Sequence, residues 1–88
     1  MSQVTRGHRA KAIIEDEIFD EAFKAVHAEI HKAWESSPLR DTEGQQQLRM
    51  MLGCLQKVRG HIEQVMLTGK MEEIQLERQS KLGKIFNW

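Results

Sequence analysis

The sequence predicts an all-α protein: an antiparallel helical hairpin with a shorter third helix at the C-terminus, oligomeric or docked on a partner. Three observations lead to this fold class. The chain has one proline and no tyrosine in 88 residues, and it is rich in residues that favour helix. Two long stretches repeat apolar residues every three or four positions. The polar segment WESSPLRDTEG, residues 34–44, separates them, and so short a connection folds two helices back on each other.

The first helix is expected over residues 10–36, after a flexible basic N-terminal arm at residues 1–9. Ser37 precedes Pro38, and the proline ring disfavours helical backbone at the residue before it, so the helix should stop there. One face repeats apolar residues in steps of four, three, four and three. These positions are Phe19, Phe23, Val26, Ile30 and Ala33.

The second helix is expected over residues 42–68. Asp41 or Thr42 can accept hydrogen bonds from the first free amides, and Gly69 has the position of a glycine that follows the last turn. The spacing of the apolar residues resembles that of a coiled coil. In the antiparallel pairing, Phe23 should lie opposite Leu55. The expected contact seam contains Leu48, Met51, Leu55, Val58, Ile62 and Val65.

The rest of the chain is expected to form a third helix at residues 71–82 and an apolar tail at residues 83–88, all within one domain spanning residues 1–88. Large apolar side chains at a chain end need a surface to cover them, either the hairpin itself or a neighbouring chain. Glycines inside a helix permit close approach of another backbone. The predicted partner-binding residues are therefore Leu82, Ile85, Phe86, Trp88, Gly53 and Gly60.

Composition limits the function classes. Thirteen basic residues balance thirteen acidic ones, so the chain has no overall field that gathers nucleic acid or anionic lipid. Cys54 is the single cysteine, which excludes an internal disulfide, and the polar N-terminal segment predicts an intracellular protein. No apolar run is long enough to span a bilayer. We expect no membrane partner and no small-molecule substrate.

No catalytic or cofactor site is predicted. His27, His31 and Glu35 follow each other at four-residue spacing, which can place them on one metal ion, but no further ligands converge on them. No nucleophile has an adjacent base that the sequence can place. We therefore expect a chain that is not an enzyme and has no metal or other cofactor.

A basic nucleic-acid face is the alternative hypothesis. In the expected hairpin, an acidic belt at residues 15–21 lies beside much of this charge, which favours an intramolecular charge match over phosphate binding. The residues of the alternative are Arg6, Arg9, Lys11, Arg49, Lys57 and Arg59.

The corner and second helix resemble a family of small tailed-bacteriophage and prophage proteins, often encoded among head and packaging genes. The resemblance consists of a tryptophan, a P-x-R-D turn, an E-G pair, a leucine-periodic helix with V-R-x-H, and a closing T-G-K. It covers roughly half of the chain, and glutamines follow the E-G pair here where the family has charged residues. The matching residues are Trp34, Pro38, Arg40, Asp41, Glu43, Gly44, Leu48, Leu55, Val58, Arg59, His61, Thr68, Gly69 and Lys70.

The resemblance implies a phage origin and no established activity. The leading hypothesis is a noncatalytic phage structural or assembly protein that self-associates or docks on another phage protein, in the host cytoplasm or in the virion. The alternatives are a nucleic-acid-binding accessory protein of phage DNA packaging or regulation, and a small inhibitor of a host protein.

Overall fold

The computed structural model describes residues 2–86 of the chain, and the side chains of residues 2–83. Three helices make up this part: α1 (Gln3–Glu15), α2 (Glu17–Ser36) and α3 (Thr42–Phe86). The described residues contain no strand, which confirms the all-α prediction. The helix bounds, however, differ from the predicted ones in two regions, residues 3–16 and residues 69–86.

The first difference lies at the N-terminus. The predicted flexible arm is wrong for residues 3–9, because they belong to α1. The Ser2 side chain accepts a hydrogen bond from the Thr5 amide at 3.1 Å and so caps the helix. The predicted helix over residues 10–36 is in fact two helices that meet at Asp16. Asp16 has extended backbone, and its side chain accepts from the Phe19 amide at 2.9 Å while its own amide donates to the Ile13 carbonyl at 3.2 Å.

The corner between α2 and α3 agrees with its sequence. The Ser37 hydroxyl donates to the Trp34 carbonyl at 2.7 Å and closes α2 before Pro38. The Asp41 side chain accepts from the Gly44 amide at 2.9 Å, so aspartate caps the start of α3. Both helix ends at this corner, Ser36 and Thr42, are the predicted ones.

The second difference is at Gly69, where the predicted helix end is wrong. No glycine in the described residues has positive φ, and α3 continues for 45 residues, so the predicted third helix is its C-terminal part. Gly69 is buried where α1 crosses α3. A Cβ at Gly69 would lie 2.5 Å from the Gln3 carbonyl oxygen and 2.7 Å from the Gly7 Cα. The missing side chains of Gly7 and Gly69 let the two backbones touch.

The contact seam on α3 is rotated by one column from the predicted one. Met51 and Val58, predicted to lie in the seam, are more than half exposed. The column that faces α1 and α2 contains Leu48, Leu55 and Ile62, as predicted, and ends at the buried Gly69. Every member of the column before Gly69 is half-buried. The whole column is Leu48, Leu52, Leu55, Arg59, Ile62, Met66 and Gly69.

The described part of the chain forms a rod with very little core. Its radius of gyration is 20.2 Å, against about 12 Å for a compact domain of this length, and it measures 74 × 24 × 19 Å. Only Ala10 and Ile30 are buried apolar side chains among the described residues, each 5% exposed. Beyond Glu73, which lies 3.2 Å from His8, every side chain of residues 74–83 is exposed.

Candidate docking surface

One arginine organises the contact between α2 and α3. The Arg59 guanidinium lies 4.6 Å from the centre of the Phe23 ring, and its Nη1 lies 3.8 Å from Asp20 Oδ1. Its Nε donates to Glu63 one turn further along α3 at 3.1 Å. The hydrogen bond from Lys24, together with the positive charges of Lys24 and Arg59, lowers the pKa of Asp20. Arg59 thus acts as an internal contact between helices.

The other basic residues of the nucleic-acid alternative are spread over the rod. Arg49 lies 5.7 Å from the Trp34 ring, and Lys11 lies 3.9 Å from Glu15 within α1. Arg6 and Arg9 line a shallow pocket of about 250 Å³ between α1 and α3. The pocket is completed by Ala10, Ile13, His61, Ile62 and Val65. Asp20, which belongs to the acidic belt at residues 15–21, pairs with Arg59. This pair is an example of the intramolecular charge match that the sequence predicts.

An apolar groove runs between α2 and α3 on the side next to the seam. It is open to solvent, has a volume of about 640 Å³, and contains no charged side chain. Met50, Met51 and Val58 expose 65%, 55% and 61% of their surface there. Cys54, also exposed, lies between them along α3. The lining residues are Val26, Ile30, Gln47, Met50, Met51, Cys54, Leu55 and Val58.

The groove forms because each helix is apolar over more of its circumference than its neighbour covers. Ile30 points into the contact between the helices and is buried, whereas Val26 remains 41% exposed at the groove. On α3, Leu55 belongs to the seam while Met51 and Val58 lie one column outside it. A helix of a globular protein turns its apolar stripe toward a neighbour, so this second column lacks the cover that such a stripe normally has.

The predicted partner-binding residues have different surroundings. Apart from its chain neighbours and the nearby backbone of its own helix, a Cβ added at Gly53 or Gly60 would meet no described atom within 4 Å, and neither glycine lines the apolar groove. Leu82 is exposed. The side chains of Ile85 and Phe86, and all of Trp88, lie outside the described residues. Binding of a partner at these six positions stays a prediction.

Two histidines lie next to each other on α2. His27 and His31 bring their rings within 4.6 Å of each other on α2. In residues 2–86, however, no group of three or more His, Cys, Asp or Glu side chains could hold a metal ion. Across the same stretch, no helix has both the length and the apolar character needed to cross a bilayer.

Sequence reasoning missed the groove and the crossing of α1 over α3. The signal for the groove was the presence of adjacent apolar columns, best seen in the pair Met50 and Met51 beside Leu52. The signal for the crossing was a glycine inside each of the two helices, Gly7 in α1 and Gly69 in α3. Neither glycine reveals its partner without the tertiary structure, because both have several alternatives in a chain with six glycines.

Comparison of the chain with family models, with curated proteins and with solved structures gives no match. The resemblance to tailed-phage proteins therefore depends on the residues quoted for it.

Proposed function

We propose that this chain is a noncatalytic structural or assembly protein that works by helix-mediated association, with itself or with another protein. The observation that carries the proposal is the lack of a core: the described residues contain two buried apolar side chains, whereas Val26, Met50, Met51, Cys54 and Val58 are exposed along the apolar groove. A small domain has little stability to spare. Covering the groove adds the burial that the chain does not supply for itself.

The proposed frame for this association is an antiparallel helical hairpin. Gly7 touches Gly69, Phe23 lies under Arg59 and Trp34 under Arg49. As the residue number increases along α1 and α2, the residue number of the contact on α3 therefore decreases. Two helices can bury only one stripe each, so a hairpin of this kind presents its remaining apolar columns to a partner.

The resemblance to small tailed-bacteriophage proteins supplies the setting of the proposal. In that setting the partner is another copy of the chain or another phage protein, and the place of action is head assembly or the particle. The matching residues lie at the corner and along α3. Several of them make internal contacts, Trp34, Asp41 and Arg59 among them. They support a shared framework rather than a shared reactive group.

Nucleic-acid binding is the second candidate, because Arg6, Arg9 and His61 line one pocket across α1 and α3. Duplex and single-stranded DNA, labelled with a fluorophore, test it by anisotropy at low and moderate salt. Binding that weakens steeply with salt and is lost in Arg6→Ala/Arg9→Ala favours this candidate. Lys32→Ala/Arg40→Ala serves as the matched control, because it removes the same charge from exposed positions outside the predicted nucleic-acid set.

The mass of the protein in solution tests the leading proposal. Light scattering coupled to size exclusion should give a mass above 10.2 kDa, rising with concentration. Far-ultraviolet circular dichroism on the same samples reports the helix content. A cooperatively folded monomer at all concentrations, with no capture of any protein of the same genome in pull-downs, would contradict association as the function.

A further inference from the structure

The apolar groove between α2 and α3 is the surface at which the association proposed above can take place. We propose that its occupant is a second copy of this chain, which packs its own groove against the first in a two-fold symmetric dimer. This inference depends on the proposed function and names its partner and its surface. Three observations favour a second copy: the exposed area, the charge of the groove and the position of the exposed residues within it.

The exposed area is sufficient for a stable dimer. The chain exposes 7428 Å², whereas a folded monomer of 10.2 kDa exposes about 5,300 Å². A specific interface of standard size removes about 800 Å² from each partner. The excess of about 2,000 Å² per chain is therefore larger than the area that such an interface would cover.

The charge of the groove selects the type of partner. No Asp, Glu, Lys or Arg lines it, so burying it leaves no unpaired charge in the interface. For the same reason it offers nothing to recognise a phosphate or a charged peptide. The chain has zero formal net charge, so two copies meet without net repulsion. Met50 and Met51 are flexible apolar side chains that adapt to each other across an interface.

The position of the exposed residues defines the symmetry. In a two-fold interface the same patch occurs on both sides, so the axis passes through its middle. The more exposed part of the groove belongs to α3, where Met50, Met51 and Val58 surround Cys54. We therefore place the axis near Cys54, with α3 of one copy antiparallel to α3 of the other. The two Cys54 thiols then lie close together.

A charged substitution in the groove tests the surface. Val58→Glu should raise the dimer dissociation constant at least ten-fold, because it would bury a carboxylate against an uncharged surface. Val58 is mostly exposed in the single chain, so the helix content should not change. Met71→Glu is the matched control, since Met71 is similarly exposed on the same helix but outside the groove. Sedimentation equilibrium and circular dichroism measure both properties.

Cross-linking tests the position of the axis. A short bis-maleimide reagent should join two wild-type chains through Cys54 in high yield at concentrations where the dimer forms. A Cys54→Ser/Met71→Cys variant moves the thiol to the control position and should give little covalent dimer. Equal yields for the two thiols, or a dimer that Met71→Glu dissociates and Val58→Glu does not, would place the interface elsewhere and overturn the inference.

The two proposals fail in different ways. A wild-type chain that remains monomeric at high concentration overturns the dimer, and a larger oligomer unaffected by Val58→Glu overturns the groove as its interface. The broader function survives the second result. It also survives the first if a purified protein of the same genome binds the monomer. If the chain is monomeric and no such protein binds it, both the dimer and the broader function are overturned.

Discussion

Replacing Gly69 with alanine should loosen the crossing of α1 over α3. The added Cβ would lie 2.5 Å from the Gln3 carbonyl oxygen and 2.7 Å from the Gly7 Cα, both backbone atoms that cannot rotate away. Ordinary contact begins near 3.4 Å, so α1 must move by about 1 Å. Overpacking of this kind costs about 1 to 3 kcal/mol, and the better helix propensity of alanine returns about 1 kcal/mol. The net expectation is a loss of up to about 2 kcal/mol.

The chain contains its own controls for this substitution. Gly53→Ala and Gly60→Ala add the same methyl group to the same helix, where no atom of another helix lies within 4 Å of it. Each should stabilise the protein by about 1 kcal/mol through propensity alone. Gly7→Ala should resemble Gly69→Ala with a smaller loss, because its Cβ would lie 2.8 Å from the Gly69 Cα.

Urea unfolding followed by circular dichroism, at one fixed protein concentration, measures these differences. The concentration must be fixed because association stabilises the folded state. A Gly69→Ala protein as stable as Gly60→Ala would refute the backbone contact between α1 and α3. A loss of stability in Gly53→Ala or Gly60→Ala would show that these glycines do meet a partner, as their sequence positions first suggested.

Three further predictions concern α2. Ile30→Ala should lower the free energy of unfolding by about 2 to 5 kcal/mol in urea titrations, since Ile30 is buried; a loss below about half a kcal/mol would mean that the contact face of α2 is wrongly assigned. Asp16→Ala should cost about 1 kcal/mol by removing the cap on the Phe19 amide, and an Asp16→Asn protein should retain most of that stability. Asp20→Asn should lower the melting temperature at neutral pH but not in strong acid. The lowered pKa of Asp20 adds stability above its ordinary value of 3.8, and this stability is lost as the pH falls through the lowered pKa; a difference that is constant with pH would contradict this.

The sequence predicted those parts of the fold that depend on local chemistry. The corner is an example: Ser37 before Pro38 and a capping Asp41 determine where α2 ends and α3 begins, whatever else they contact. The break at Asp16 was also local in origin, and its signal was an aspartate three residues before an amide that it could cap. The acidic residues around Asp16 conceal this cap in the sequence, because they are equally typical of a charged helix face.

Long-range packing accounts for the parts that sequence did not predict. From the sequence, Gly69 could either end a helix or lie inside one. The structure shows that it lies inside α3, where it contacts Gly7. The seam was ambiguous for a related reason. Leu48, Leu55 and Ile62 belong to two adjacent columns, and the contact with α1 at Gly69 selects between them. The other column, which contains Met51 and Val58, remains exposed and lines the apolar groove.

The exposed stretch at residues 74–83 is the part of α3 that has the least tertiary support. It extends α3 past the His8–Glu73 pair, and its side chains are exposed. Ten residues are fewer than the roughly 12 to 15 at which an isolated helix becomes marginal in water, so this stretch holds its helix through continuity with the rest of α3. Its backbone amides should exchange with solvent first. A protein surface that covers Ile74, Leu76 and Leu82 would slow that exchange, so the binding free energy would include the work of ordering this last segment.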